Sequence, residues 1–434
     1  MRVLLVTLGS GGDVHPFVAL GRELVSRGHS VRLAMNAASS HKLEGTGVEH
    51  VALGERWELS ELGDHPDLLH PRRGPEVVFG DLVLPRVAEI YGVAREQVDS
   101  WRPHVVASHH IAMGVPWACR ERASAVPWVS VLLSPLSWVS RADPNVYPRV
   151  LPRFLRGFEA GLLPRFARWR GDKPVNAIRA GLGLAPGRDH LFGHATTADL
   201  HLGLWSPQLR GPTVDDPPRS HVTGFCLHDR DARAEAPAIE LERALAGSGS
   251  GAPILVGIGT AAVHIDRDFF GLMGRAAALL PGRGIRNPML LLTGEGVDPP
   301  AGLPSNVTCL AYAPFSTAMP RCAMSIVHGG AGSTGQAMRS GRPFAVVPFC
   351  NDQFDFAARA VRLKCARSVP REKLTPEAIA SVICETLTDP VIHERAERVA
   401  YLESLVDGPA RAAEQLERIA RRDEPASTLG RGSR

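Results

Sequence analysis

A short strand-like run, Met324–Val327, three apolar residues and a serine, leads straight into His328-Gly329-Gly330-Ala331-Gly332-Ser333-Thr334 and then into a helical pattern that reaches about Ser340. A chain that leaves a short apolar strand through glycines and enters a helix is built for a layered α/β fold. The glycines let backbone N–H groups approach a ligand, and the helix start adds unpaired N–H groups and partial positive charge. Together these suit a pyrophosphate. His328, at the strand end, can donate a hydrogen bond to a phosphate oxygen as that oxygen gains charge. Farther on, Pro348 and then Asp352-Gln353 close the next apolar run. A carboxylate and an amide side by side can grip the vicinal hydroxyls of a hexose.

The same strand–turn–helix grammar fills the rest of the chain. Val3–Thr7, Ser30–Ala34, Val105–Ser108 and Trp128–Leu133 read as strands of a first sheet, with helical spacing over Phe17–Arg27. Pro253–Ile258, Met289–Thr293, Val307–Leu310, Met324–Val327 and Phe344–Val347 read as a second series. Such alternation gives parallel sheets with crossover helices, and 434 residues exceed one ordinary core. Proline and acidic residues concentrate between Pro207 and Pro237, the best linker candidate. The expected division is therefore 1–212, a linker at 213–237, a second domain at 238–405, a terminal helix at 406–422 and a disordered tail at 423–434.

Composition removes several function classes. A formal charge of +4 with mixed signs makes no case for nucleic acid. No run approaches the ~20 apolar residues of a membrane helix. Seven scattered cysteines without a CxxC pair fit reduced thiols and a cytoplasmic address better than disulfides or zinc. The opening Gly9-Ser10-Gly11-Gly12-Asp13-Val14 lacks the last glycine of a dinucleotide fingerprint, and the second strand ends in Met35-Asn36 with no carboxylate for a ribose diol. Asp229-Arg230-Asp231, a DxD, lies in the linker and reads as accidental, so no metal site is expected.

The run HGGAGST with Gly341-Arg342-Pro343, Pro348 and Asp352-Gln353 resembles the donor motif of family 1 nucleotide-sugar glycosyltransferases of the GT-B fold. GSGGDVHPFVALGREL resembles the opening of bacterial antibiotic and sterol glycosyltransferases. Asn176-Ala177-Ile178-Arg179, Thr223-Gly224-Phe225 and DQFDFAARAVRLKCA resemble the rhamnolipid rhamnosyltransferases. The resemblance covers essentially the whole chain. It implies two Rossmann-like domains facing across a cleft, the first for the acceptor and the second for the donor, with the terminal helix crossing back onto the first.

On that resemblance the donor would meet Gly259, Thr260, Tyr312, Ala313, His328, Gly330, Gly332, Ser333, Thr334, Gln336, Asp352 and Gln353. Tyr312 would stack on the base. Gln336 stands where many relatives carry a ribose-binding glutamate, which leaves UDP and TDP both open, and it is read equally as a helix-packing residue. The acceptor side would use Gly12, His109 and His110, the two histidines being read also as ordinary core or surface residues. An acceptor hydroxyl needs a base within hydrogen-bond reach. Asp13 holds the place of the relatives' catalytic Asp or His, with His15 the weaker candidate. The competing reading of Asp13 is a cap for a helix starting near Pro16.

The expected activity is inverting, metal- and cofactor-independent transfer of a sugar (rhamnose, another deoxyhexose or glucose) to a hydrophobic small molecule or lipid. A nucleotide-sugar epimerase and a non-catalytic sugar-nucleotide-binding protein are the alternatives. The assembly is read as a monomer or homodimer. The basic, aromatic segment from Pro144 to Gly171 is read in two ways: as an acceptor lid or membrane-touching patch, or as an amphipathic helix pair with a solvated basic face.

Overall fold

The computed structural model describes residues 1–53, 65, 67–71, 73–120, 126–144, 155–229, 235–246, 251–259, 263, 266 and 268–422. Thr260, the tail at 423–434, and Arg149, Arg153 and Phe154 of the basic segment lie outside them.

Among the described residues, thirteen strands form two parallel sheets. The first has the order β3-β2-β1-β4-β5-β6-β7, from Arg2–Val6 (β1), Ser30–Met35 (β2), Glu49–Ala52 (β3), Val105–His109 (β4), Trp128–Leu132 (β5), Leu200–Gly203 (β6) and Ser220–Val222 (β7). The second has the order β10-β9-β8-β11-β12-β13, from Ile254–Gly257 (β8), Met289–Leu292 (β9), Val307–Leu310 (β10), Met324–Val327 (β11), Phe344–Val346 (β12) and Ala366–Ser368 (β13). The central strands are buried along their length because helices cover both faces. In each sheet the chain reverses direction of growth beside the first strand, and that switch point opens a crevice at the carboxyl ends. β7 falls inside the stretch 213–237, so that stretch supplies a strand of the first sheet as well as a connection.

Helix Gly11–Ser26 begins five residues before Pro16 and carries that proline in its interior. The early start has a local cause. Ser10 caps the helix while the Asp13 side chain accepts from the Ser10 N–H, a reciprocal capping box. Among the described residues, the segment read as a helix pair carries one helix, Arg156–Gly181, with Pro164 and Pro174 inside it. The last helix, Gly408–Arg422, buries Ala412, Ala413, Leu416 and Ile419 in the first domain's core.

The two halves are joined by apolar packing and by charge. Leu132, Trp138 and Trp205 of the first half share a core with Phe356 and Ala360 of the second. Beside them helix Gln353–Arg362 reaches across. Arg359 donates to Asp355 on its own helix at 2.6 Å and to Asp143 of the first half. Arg362 donates to Asp143 at 3.2 Å and to the Leu209 carbonyl at 3.0 Å. Arg359 and Asp355 are fully buried, so each charge depends on its partner.

Candidate functional site

The crevices of the two sheets face each other. In the first, the three central strands β1, β4 and β5 deliver Asp13, His109 and Ser134 to one edge. Gly9 has φ +129°, and a Cβ there would lie 2.1 Å from Asp13 Oδ2, so only glycine lets the loop fold back on this carboxylate. Oδ2 accepts from Ser10 N at 2.8 Å and lies 3.3 Å from Ser10 Oγ. Asp13 thus caps its helix and also stands at the cleft. Desolvation there raises its carboxyl to about 6, with the Ser10 hydrogen bonds pulling the other way. Gly12 is exposed, and its N–H donates to Ser10 Oγ.

His15 lies two residues farther along the same helix. Its ring meets that of His228 edge-on at 6.0 Å. Burial first, then Lys42, His228 and His41, hold it well below the usual imidazole range. His109 is buried, with its ring 4.7 Å from His110; His110 in turn lies 5.5 Å from His194. Burial lowers His109 to about 4 against a hydrogen bond to the Leu8 backbone. Nδ1 of His109, Nδ1 of His110 and both ring nitrogens of His194 have no hydrogen-bond partner among the described residues. His194 was not singled out in the sequence, because nothing local ties it to the strand-end pair.

In the second sheet, β8, β11 and β12 deliver Gly259, His328 and Asp352 to the matching edge. The His328 ring is pinched between two backbones. A Cβ on Gly259 would lie 2.6 Å from its Cε1, and one on Gly330 would lie 2.5 Å from its Nε2. Ser333 Oγ is 3.4 Å from His328 Nδ1 and donates to the Gly330 carbonyl at 3.1 Å. Burial lowers His328 to about 4, so it is neutral at pH 7. Helix Ala331–Arg339 starts at Gly330 without a side-chain cap, and the space beside Gly332 is open. Its first N–H groups therefore remain available to an anion.

The other donor-side residues divide. Thr334 is fully buried and its hydroxyl has no partner among the described residues. Gln336 is buried on the next turn and Ala313 is buried beneath β10. The Tyr312 hydroxyl donates to the Asp229 carbonyl at 2.5 Å, and Ser316 N donates to the Asp229 carboxylate at 2.6 Å. Asp229 of the DxD triplet therefore fastens the connection to the second domain. Gln353 turns back on its own loop: Oε1 accepts from Phe349 N at 2.9 Å and Cys350 N at 3.2 Å. Its N–H₂ group donates to Cys350 Sγ at 3.9 Å, which leaves one N–H for a ligand. Gly329, at φ +91°, lets the loop pass close by, since a Cβ there would lie 3.0 Å from the Gln353 carbonyl.

Asp352 links the two edges. Desolvation first, then the charge of Asp13, raises its carboxyl to about 7, while a hydrogen bond from the Ser134 side chain lowers it. Ser134 sits just past β5, a signal visible in the sequence but not used there. Across the same cleft, helix Gly11–Ser26 touches helix Ala331–Arg339. The arrangement presents a carboxylate from one half and a carboxyl, a neutral imidazole and an uncapped helix start from the other.

Comparison with known proteins fits this geometry. Residues 292–419 match the "Erythromycin biosynthesis protein CIII-like, C-terminal domain" family, and residues 3–71 match the "Glycosyltransferase family 28 N-terminal domain" family. The O-mycaminosyltylonolide 6-deoxyallosyltransferase of Streptomyces fradiae is 31% identical, over 99% of this chain and 100% of its own. A sterol 3-beta-glucosyltransferase of Debaryomyces hansenii is 24% identical over 95% of this chain, which spans only 26% of that protein. The crystal structure of the kitacinnamycin glycosyltransferase superposes with a TM-score of 0.73 at 22% identity, over 96% of this chain and 99% of that one. With matching families at both ends and a relative aligned from end to end, the chain belongs to the family 1 nucleotide-sugar glycosyltransferases of the GT-B fold.

Proposed function

We propose that the protein transfers a sugar, preferentially a 6-deoxyhexose, from a UDP- or TDP-sugar to a hydroxyl of a hydrophobic natural-product aglycone or lipid. The facing of Asp13 and Asp352 across the cleft carries this reading, because it leaves the sugar between a base and a group that grips its hydroxyls. The 6-deoxyallosyl and tylonolide named for the Streptomyces relative support the sugar and acceptor classes.

Asp13 takes the proton of the acceptor hydroxyl, and its elevated pKa makes it a stronger base than an ordinary carboxylate while still ionised at pH 7. The freed oxygen pair bonds to the anomeric carbon as the bond from that carbon to the diphosphate oxygen breaks. The nucleotide diphosphate leaves from the opposite face, so configuration inverts. When the Ser333 hydroxyl turns from the Gly330 carbonyl to His328 Nδ1, the ring proton sits on Nε2 and the ring donates to the departing phosphate. The N–H groups at the start of Ala331–Arg339 take the rest of its growing charge. These groups do the work a metal ion would otherwise do, so no metal is required in this scheme. His15 is less suited as the base because burial and the neighbouring Lys42 and His228 hold its imidazole well below the usual range.

The test is a panel of UDP- and TDP-sugars offered with macrolide and sterol acceptors, with and without excess chelator. The expected product has the anomeric configuration opposite to the donor's, formed equally in both conditions. A retained configuration, or loss of turnover in chelator, overturns the mechanism.

A further inference from the structure

Helix Arg156–Gly181 shows the solvent a face that a water-soluble helix normally buries. Leu155, Phe158, Leu162, Phe166 and Trp169 recur at spacings of three and four residues, and all five are exposed, Trp169 to 73%, Phe158 to 63% and Phe166 to 55%. At about 100° per residue they form one stripe about 20 Å long. Ala160, Ala167, Gly171 and Val175 lie diametrically opposite and pack inward, so the stripe is the outward face of a well-anchored helix.

The borders of the stripe are basic. By the same rotation Arg165 and Arg168 flank one side, Arg170 flanks the other, and Lys173 lies past its end. Residues 155–173 hold five basic and two acidic side chains. Arg170 lies 5.7 Å over the Trp169 ring and pairs with Glu76 in an exposed contact, and Arg168 acts on Asp189. A solvated basic face would not carry three aromatic or aliphatic anchors per two turns, and a lid would turn them toward the cleft.

We infer that this stripe seats the protein on an anionic lipid surface, with the aromatic side chains at the headgroup level and the arginines against lipid phosphates. The chemistry matches an interfacial helix: Trp, Phe and Leu on one face, Arg at its edges, and low overall hydropathy. Among the described residues no helix is long and apolar enough to cross a membrane, so the contact lies in the plane of the surface. A second copy of the chain is a poorer occupant, because a two-fold contact would set each arginine border against its own copy. The other side of the same helix adjoins the seam between the halves. Gly157 and Gly161 let the helix lie against Arg141, two residues before Asp143, which Arg359 and Arg362 hold from the other half.

Flotation of the full chain with phosphatidylcholine vesicles, with and without phosphatidylglycerol, tests the assignment. Binding to the anionic vesicles should exceed that to neutral ones by about tenfold or more and fall with salt. Phe158→Ser, Phe166→Ser and Trp169→Ser combined should abolish it, and Arg165→Glu with Arg168→Glu should reduce it at least about tenfold. Brominated lipids should quench the wild-type tryptophan signal but not that of Trp169→Phe, a change that keeps the fold even where the triple variant does not. No flotation, equal binding to neutral vesicles, or quenching that survives in Trp169→Phe overturns the inference. So does a concentration-dependent dimer that the triple variant abolishes, since a second copy would then cover the stripe.

Discussion

The two glycine loops that face each other across the cleft begin alike and end differently. Each leaves a buried parallel strand and starts a helix. After β1 the helix is closed by its own sequence, because Ser10 and Asp13 satisfy one another's backbone. After β11 the helix starts at Gly330 with no side chain to cap it. A capped start needs nothing more, whereas an uncapped one leaves N–H groups that a diphosphate can satisfy. The same motif thus yields a place to hold a carboxylate on one side and a place to hold an anion on the other.

The comparison can be broken first at Asp13. Asp13→Asn keeps an acceptor for the Ser10 N–H, so the fold should survive, but turnover should drop about 10²–10⁴-fold with nucleotide affinity within a few-fold. Calorimetric titration beside steady-state kinetics separates the two, and wild-type turnover would remove Asp13 from the chemistry. His328→Ala should lower kcat about 10²–10³-fold, the loss expected for one preset donor; unchanged donor kinetics would take His328 out of the site.

Smaller effects sharpen the contrast. A base near 6 must be ionised to act, so kcat/KM should fall about tenfold per pH unit below that value. Because Asp13 and Asp352 interact, that limb belongs to the pair. A flat profile from pH 5 to 8, if seen, would contradict a carboxylate base. Gly330→Ser adds the missing cap and sets a Cβ 2.5 Å from His328 Nε2, so donor KM should rise about tenfold, an effect of about 1.4 kcal/mol, while the melting temperature holds. Ser10→Ala should do the reverse, costing about 1 kcal/mol of stability with nucleotide affinity unchanged. Thermal melts and donor titrations on both variants would show whether the two helix starts differ as described.

Much of this was legible because it is local. Apolar runs broken by glycine marked nearly all the central strands, and the order of His328, Asp352 and Gln353 along the chain is the order in which adjacent strands reach the cleft. What escaped was set by partners. Pro16 suggested a helix start, but the Ser10–Asp13 pair moved that start to Gly11. Gln353 sits where a sugar ligand is expected, yet two backbone N–H groups three and four residues earlier turn its oxygen inward. β7 is three residues long and hidden among prolines, so only the neighbouring β6 makes it a strand. The periodicity of Arg156–Gly181 is plain in the letters, but whether its aromatic stripe faces protein or water is not.

The joint built by Arg359 also bears on recombination of this chain with its relatives. Exchanging first halves to change the acceptor is attractive in a two-domain enzyme. Here, however, one half supplies Asp143 and the Leu209 carbonyl, and the other supplies Arg359. A hybrid lacking a carboxylate at 143 would leave Arg359 with Asp355, on its own helix, as its remaining carboxylate and would remove the ion pairs that join the halves, a loss that would mask any new specificity as poor expression. Productive crossovers would therefore carry residue 143 together with 359 and 362, treating the seam as a single inherited unit.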